Sequence, residues 1–484
     1  MDAVRIRRLS ARYHLPPSRE AERERLGRIL HAVLDEALER ALERAGVSPH
    51  EEICIRNLHA PVRLRLSQAD STLVLAWSLA LSEAIMRARN DQTGPKNVVR
   101  YNSPAHALFD VAAGVATDRF DRVWAWRLAR VWRGSDVPTL SEAAAELVFA
   151  LLQQPTLIAP LFAALAARDV PAAVFAGLGR RISAQQWLAL ARAALHAAGV
   201  SASIIDDTVT PGIAEVVRQA HRMLAASALA DALAAVPHIL MDALEMRRAF
   251  AALIALEQDP AALRPPARAR ALVSALADAM HPATFRALGA SQRHSPSLQR
   301  ELQPPLNKER EPQPLLNEDL PSVVTRRAST RFGGLLFLLK LIEGLGLPDQ
   351  ILAHCPRRPF RWALHQLALA LVPAEPDDAA ALACAGLPPD AAPPSCSEEP
   401  PDDAEGALIA SFVERVLVAL ETRLEEKQPI AFVCYRAAEI VADPGWIEVH
   451  LSLNEVSTSI RRAGLDLDPG YLPWLGVVVS FVYE

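Results

Sequence analysis

Two aspartates, Asp466 and Asp468, run into Pro469 and Gly470 near the end of a 484-residue chain. Carboxylates at alternate positions ahead of a glycine turn are how a calcium loop begins. The twelfth position of such a loop requires a bidentate glutamate, and Val477 stands there. The same residues make a tight turn, in which Pro469 fixes φ, Gly470 supplies positive φ and the aspartates bond nearby backbone amides. His354 sets a base beside the nucleophile type Cys355, but neighbours on a helix or strand point in different directions, so the two do not form a dyad. Cys434, in an apolar run, reads as a small buried hydrophobe. Trp124, Trp126 and Trp132, interleaved with Arg122, Arg127, Arg130 and Arg133, have the make-up of a base-stacking, phosphate-binding surface. The simpler reading, in an acidic chain without another basic stripe, is a helix with core tryptophans and surface arginines. No HExxH, P-loop, GxSxG or dinucleotide fingerprint is present, so the residues argue for no enzyme, metal or cofactor.

The elements that must carry these residues belong to a globular chain. It is 51% hydrophobic and 22% charged, with net charge −5 and pI about 6.3, which excludes a global basic field for nucleic acid or anionic membrane. The five cysteines are scattered, never as CxxC, and fit a reducing compartment. The N-terminus lacks the apolar core of a secretory signal. The apolar runs from Leu147 and from Phe332 are broken by Gln153, Gln154, Pro155 and Pro160, or by Lys340 and Glu343, so no stable membrane span is expected. The expected location is the cytoplasm.

Periodicity predicts a mainly α fold: a helical bundle or stack of short Ala/Leu-rich helices, with small α+β segments at both termini. Residues 1–90 read as strand, helix, strand, helix. Val4 to Tyr13 alternate, Ser18 opens a helix with Leu26, Ile29, Leu30 and Val33 on one face up to Gly46, and Ile53 to Leu66 give one interrupted strand or two. Ser67 to Asp70 open the next helix. Residues 103–290 form the helical domain, with a capping box at Thr139 and Glu142, a stop at Gly199, and Pro211 and Pro237 ahead of two further runs. Residues 291–330 are a Pro-rich linker, 331–387 a helical hairpin unit, 388–406 an acidic Pro-rich linker, and 407–484 a helix followed by strands at Ile430–Tyr435, Trp446–Leu453 and Val477–Tyr483.

Three stretches together resemble the tape-measure family of contractile injection systems, the phage-tail-like particles made by bacteria. The opening VRIRRLSARY, long helix and EEICIRNLHAPVRLRL resemble its N-terminal strand, helix and strand; RFGGLLFLLKLIEGLGLP resembles its Gly-Leu-rich signature; WIEVHLSLNEVSTSIRRAGLDLDPGYLPWLGVVVSFVYE resembles its closing segment. The resemblance implies a structural role in assembling a sheathed tube or setting its length, tube, cap or baseplate proteins as partners, and no cofactor. A fully helical chain of this length would span roughly 700 Å, but 37 prolines, two linkers and terminal strands rule out one continuous helix. The alternatives are a stand-alone helical scaffold or adaptor and an uncharacterised cytosolic enzyme.

The chain ends on Val477, Val478, Val479, Phe481, Val482 and Tyr483, which something must cover. Two strands alone are marginally stable, so a third is needed, from the N-terminal strands or from a partner by strand addition. The partner is the favoured reading, and it makes Arg461, Arg462, Asp466, Asp468, Tyr471, Trp474, Val477, Val479, Phe481 and Tyr483 the candidate partner-binding residues.

Overall fold

The computed structural model describes residues 6, 9–34, 52–90, 97–101, 104–167, 171–206, 214–236, 241–281, 326–355, 358–394, 402–443 and 445–483. The architecture is mainly α. The described residues divide into two compact units, one up to residue 147 and the other from residue 148 onward.

In the first unit, helices α1 (Glu22–Ala32) and α2 (Asp70–Asn90) pack around Leu26, Ile29 and Leu73, with Tyr13, Leu15, Leu64, Leu66 and Trp77 against them. Strand β1 (Glu52–Ile55) pairs antiparallel with β2 (Val98–Tyr101), setting Cys54 opposite Val99. The alternating stretch Val62–Leu66 is irregular rather than a strand: Leu64 and Leu66 fill the gap between helices and have no ladder to join. Leu9–Tyr13 likewise forms no strand, while most of residues 1–8, residues 35–51 with Gly46, and Pro211 and Pro237 lie outside the described residues. Helix α3 (Pro104–Thr117) packs on β2 and helix α4 (Val123–Leu128) on β1. Here Asp110, almost without solvent contact, accepts from the Tyr101 hydroxyl at 2.8 Å and the Trp126 indole N–H at 2.9 Å, with an Arg122 nitrogen 3.5 Å away. Trp126 and Trp132 are buried 5.4 Å apart, so they are core residues. Trp124 is half-buried.

Helix α5 (Leu140–Gln153) opens on the expected box: the Thr139 N–H donates to Glu142 at 2.8 Å and the Glu142 N–H to the Thr139 hydroxyl at 3.3 Å. A helical lobe follows, made of α6 (Ile158–Ala166), α7 (Pro171–Arg181), α8 (Ala184–Ala197), α9 (Ala214–Ala226), α10 (Ala228–Ala234), α11 (Leu244–Gln258) and α12 (Pro266–Ala279). Its alanines let helices approach closely, and α8, ended at Gly199, lies along α11. Trp187 is enclosed by Phe162 at 4.9 Å and Phe250 at 4.7 Å, with Phe175 beyond them.

The rest of the second unit is a terminal module, residues 326–483. Strand β3 (Arg326–Thr330) leads through a 3-10 turn, Gly333–Leu338, into α13 (Leu339–Gly344), α14 (Leu347–His354), α15 (Phe360–Leu371), α16 (Ala379–Cys384), α17 (Asp403–Arg423) and α18 (Pro429–Cys434). Then come β4 (Ala438–Asp443), β5 (Trp446–Leu451), α19 (Thr458–Arg462), β6 (Gly470–Leu472) and β7 (Val477–Tyr483). The sheet order is β3-β4-β5-β7-β6, antiparallel except for β5 against β7.

Several sequence expectations change. The run Ile430–Tyr435 is mostly the helix α18: Pro429 suits a first helical turn, and α18 packs on the Gly-Leu turn. Residues 326–330 form a strand instead of closing a linker, while 291–325 and 395–401 lie outside the described residues. The segments read as a separate hairpin unit and C-terminal segment share one core. Arg358 ties their helices, its Nε and Nη2 each 3.1 Å from a Glu405 carboxylate oxygen beneath the first turn of α17, with both side chains at most 10% exposed.

Candidate functional site

The candidate residues sit on the crossover that carries the chain from β5 to β7 and on β7 itself. Among the described residues, the third and further strands of this sheet come from the chain itself, β3 and β4, while β1 belongs to the first unit. Trp474, Val477, Val479 and Phe481 are buried in the module's core. The expectation that these four meet a partner is thereby corrected: the inner face of β7 is covered from within. Phe481 stacks edge-on against Phe337 at 4.7 Å, and the Trp474 indole N–H donates to Glu343 at 3.1 Å.

The Gly-Leu turn makes this possible. A methyl at position 333 would lie 2.3 Å from the Ala438 Cβ, and one at 334 only 1.9 Å from the Val433 carbonyl oxygen. The Gly333 N–H donates to the Arg436 carbonyl at 2.9 Å. Arg436 in turn donates to the Phe432 carbonyl at 3.1 Å and to the Glu455 carbonyl, holding the start of the crossover. Sequence reasoning missed Arg436 and Glu455, which no local motif marks.

Of the remaining candidates, Arg461, Asp466 and Tyr483 form a polar cluster. Asp466, buried, accepts from Arg461 Nε at 2.9 Å and from the Tyr483 hydroxyl at 3.5 Å, and the Arg461 guanidinium lies over the Tyr483 ring at 5.7 Å. Burial, reinforced by the Asp466 charge, pushes the Tyr483 hydroxyl up to about 12, and burial does the same for Tyr471. Asp468 accepts from the Phe481 N–H at 2.6 Å, and Gly470 has φ +68°, as the turn reading requires. Arg461 and Arg462 are exposed, as are Leu453 and Leu467, 64% and 65%, and Val456 on the same crossover. Buried Ile460 and Leu465 anchor this crossover. Leu467, an apolar residue between the two aspartates of the turn, is exposed although its neighbours Leu465 and Asp466 are buried.

Cys54, Cys355, Cys384 and Cys434 are free and buried. Burial pushes the Cys54 and Cys384 thiols up to about 12, and raises Cys355 and Cys434 too, so these thiols stay protonated near neutrality. The His354 Nδ1 lies 2.9 Å from the Gln350 carbonyl, on an exposed side chain. Among the described residues no three His, Cys, Asp or Glu side chains gather as a metal site, and no single helix is long and apolar enough to cross a membrane. Set against family models, curated proteins and solved structures, the chain matches none.

Proposed function

We propose that the chain is a structural assembly protein of a bacterial contractile injection system, made in the cytoplasm and acting with tube, cap or baseplate proteins in tube assembly or length control. The observation that supports this reading is the meeting of two of the three resembling stretches. Residues 331–348 and 446–483 are far apart in sequence, yet they form one core through Phe337 on Phe481 and Trp474 on Glu343. A signature split in this way is a packing signature: its glycines and aromatics are the residues the shared core needs, and none of them carries chemistry.

The architecture favours a globular factor over an extended ruler. The longest described helices, α2 and α17, have 21 residues each, roughly 30 Å of rise. The test is deletion of the gene in a producing strain, with particles counted and measured by electron microscopy, together with affinity purification of the tagged full chain. Loss of sheathed particles, or tubes of uncontrolled length, and co-purification of tube or baseplate proteins are expected. Normal particles in the deletion strain would overturn the proposal. A ruler would further require tube length to shorten in proportion to internal deletions between residues 291 and 325, whereas an assembly factor would leave it unchanged.

A further inference from the structure

His365 lies on α15 inside the terminal module and is 1% exposed. Its Nε2 is 2.8 Å from the Pro376 carbonyl oxygen, and its Nδ1, equally shut off from solvent, has no hydrogen-bond partner among the described residues. A carbonyl oxygen only accepts, so Nε2 carries the proton and Nδ1 is left as a bare lone pair. The loop held in this way is at the surface. Pro373, Glu375, Pro376 and Asp377 are exposed, while Val372 before them and Ala379 after them are buried. Asp378 closes the loop: its carboxylate accepts from the Ala380 N–H at 2.8 Å, capping α16, and from the Thr330 hydroxyl at 3.0 Å. The Thr330 Oγ1 in turn accepts the Phe332 N–H at 3.0 Å, at the entry to the Gly-Leu turn. A relay thus runs from His365 through the loop to the end of β3.

A second proton on the ring must go to Nδ1, and the neighbouring charges are engaged elsewhere. Asp378 of the loop is taken up by Thr330 and the α16 amides, Glu405 of α17 by Arg358, and Arg415 of α17 by Gln350 and the Leu345 carbonyl. Arg361, one turn back on α15, donates to the Glu257 carbonyl, and the Cys384 thiol of α16 is protonated. Asp349 and His354 of α14, Glu414 and Glu421 of α17, and Glu375 and Asp377 of the loop are exposed to water. A charge on Nδ1 would therefore stand buried and unpaired. The ring avoids that only by turning out of the core, which breaks its bond to Pro376. Burial, opposed by the Pro376 carbonyl, accordingly holds the ring below the ordinary histidine range.

We propose that His365 is an acid-released latch: neutral, it pins the loop 373–377 to the core of the module, and protonated it lets the loop go, loosening the cap of α16 and the Thr330 corner. Because the folded ring resists the proton, the latch contributes its stability in full above the ordinary histidine pKa and loses it as the pH falls through that value towards the lower folded one. The proposal stands apart from the assembly reading, because it is tested on the purified full chain.

The chain is compared at about pH 7.5 and about pH 5, on either side of the histidine range, by amide exchange corrected for the intrinsic effect of pH. On acidification, exchange is expected to rise by about tenfold or more at Phe332, Ala380 and Ala381, while α17 keeps its protection. His365→Gln carries a carboxamide N–H that can donate to the same carbonyl and does not titrate, so its exchange at those three amides should stay level. An equal acid response in the two proteins, or none in the wild type, overturns the latch. If His365→Gln does not fold, His365→Leu, apolar and of similar size, takes its place. Its exchange at the three amides should already be high at the upper pH and change little at the lower one, and a further rise matching that of the wild type overturns the proposal.

Discussion

The two sheets of the molecule solve the same problem differently. Strands β1 and β2 are only two, and a lone pair is marginal in water; what steadies them is a polar node, the Tyr101 hydroxyl and the Trp126 N–H both held by the carboxylate of Asp110. The five-stranded terminal sheet has ladder partners enough, and is steadied by close packing, because Gly333 and Gly334 let the Gly-Leu turn rest directly on Ala438 and on the Val433 carbonyl. A small sheet thus depends on hydrogen bonds that must all be made. A larger one depends on a surface that must stay free of extra atoms.

The largest effect is expected from Gly334→Ala, since the added methyl would meet main chain that cannot turn aside. Overpacking of this kind should cost about 3 kcal/mol or more, read as a lower denaturation midpoint of the terminal module with the first unit unaffected. An unchanged midpoint would mean that α18 shifts freely and that the turn is not a packing device. Next comes Asp110→Ala, which strands two buried donors at a cost of about 2 to 3 kcal/mol. Asp110→Asn, which keeps one acceptor oxygen, should recover part of the loss in a thermal melt followed by tryptophan fluorescence. If Asn and Ala melt alike, the carboxylate is not what holds the small sheet.

The same contrast explains what could be read from the sequence. Helices with one apolar face and a capping pair were legible, as at Thr139 and Glu142 or around Trp187, because their signals are local. So were Trp446–Leu451 and Val477–Tyr483, whose alternation is spent on a ladder. Val62–Leu66 alternates equally well and makes no strand: its leucines serve the helices beside them. Ile430–Tyr435 has strand-like residues and turns as a helix, because Pro429 starts it and the Gly-Leu turn receives it. Pairing partners are long-range facts, and so is the cover over β7, where Phe337 of the distant Gly-Leu turn packs on Phe481. At the candidate site the turn at Asp466–Gly470 was legible, whereas the burial of Trp474 and Phe481 depended on residues more than a hundred positions away.

The smallest expected effect concerns the edge of the larger sheet. Strand β6 covers β7 only from Val477 to Val479, so beyond that point β7 presents main-chain donors to whatever comes. Asp468 meets one of them, accepting the Phe481 N–H at 2.6 Å, and in effect continues the ladder with a side chain. A carboxylate there also repels an approaching strand's carbonyls, which is how exposed edges are kept from pairing. Asp468→Ala should therefore cost only about 1 kcal/mol, below the usual range for a hydrogen bond to a charged group because the aspartate is exposed to water. Its sharper consequence is association: light scattering should show concentration-dependent dimers of the variant, formed edge to edge along β7, and Asp468→Asn, which still accepts the N–H, should stay closer to the wild-type size. A monomeric Asp468→Ala protein of undiminished stability would show that β7 needs no seal, and that the two sheets differ in support alone and not in how their edges are guarded.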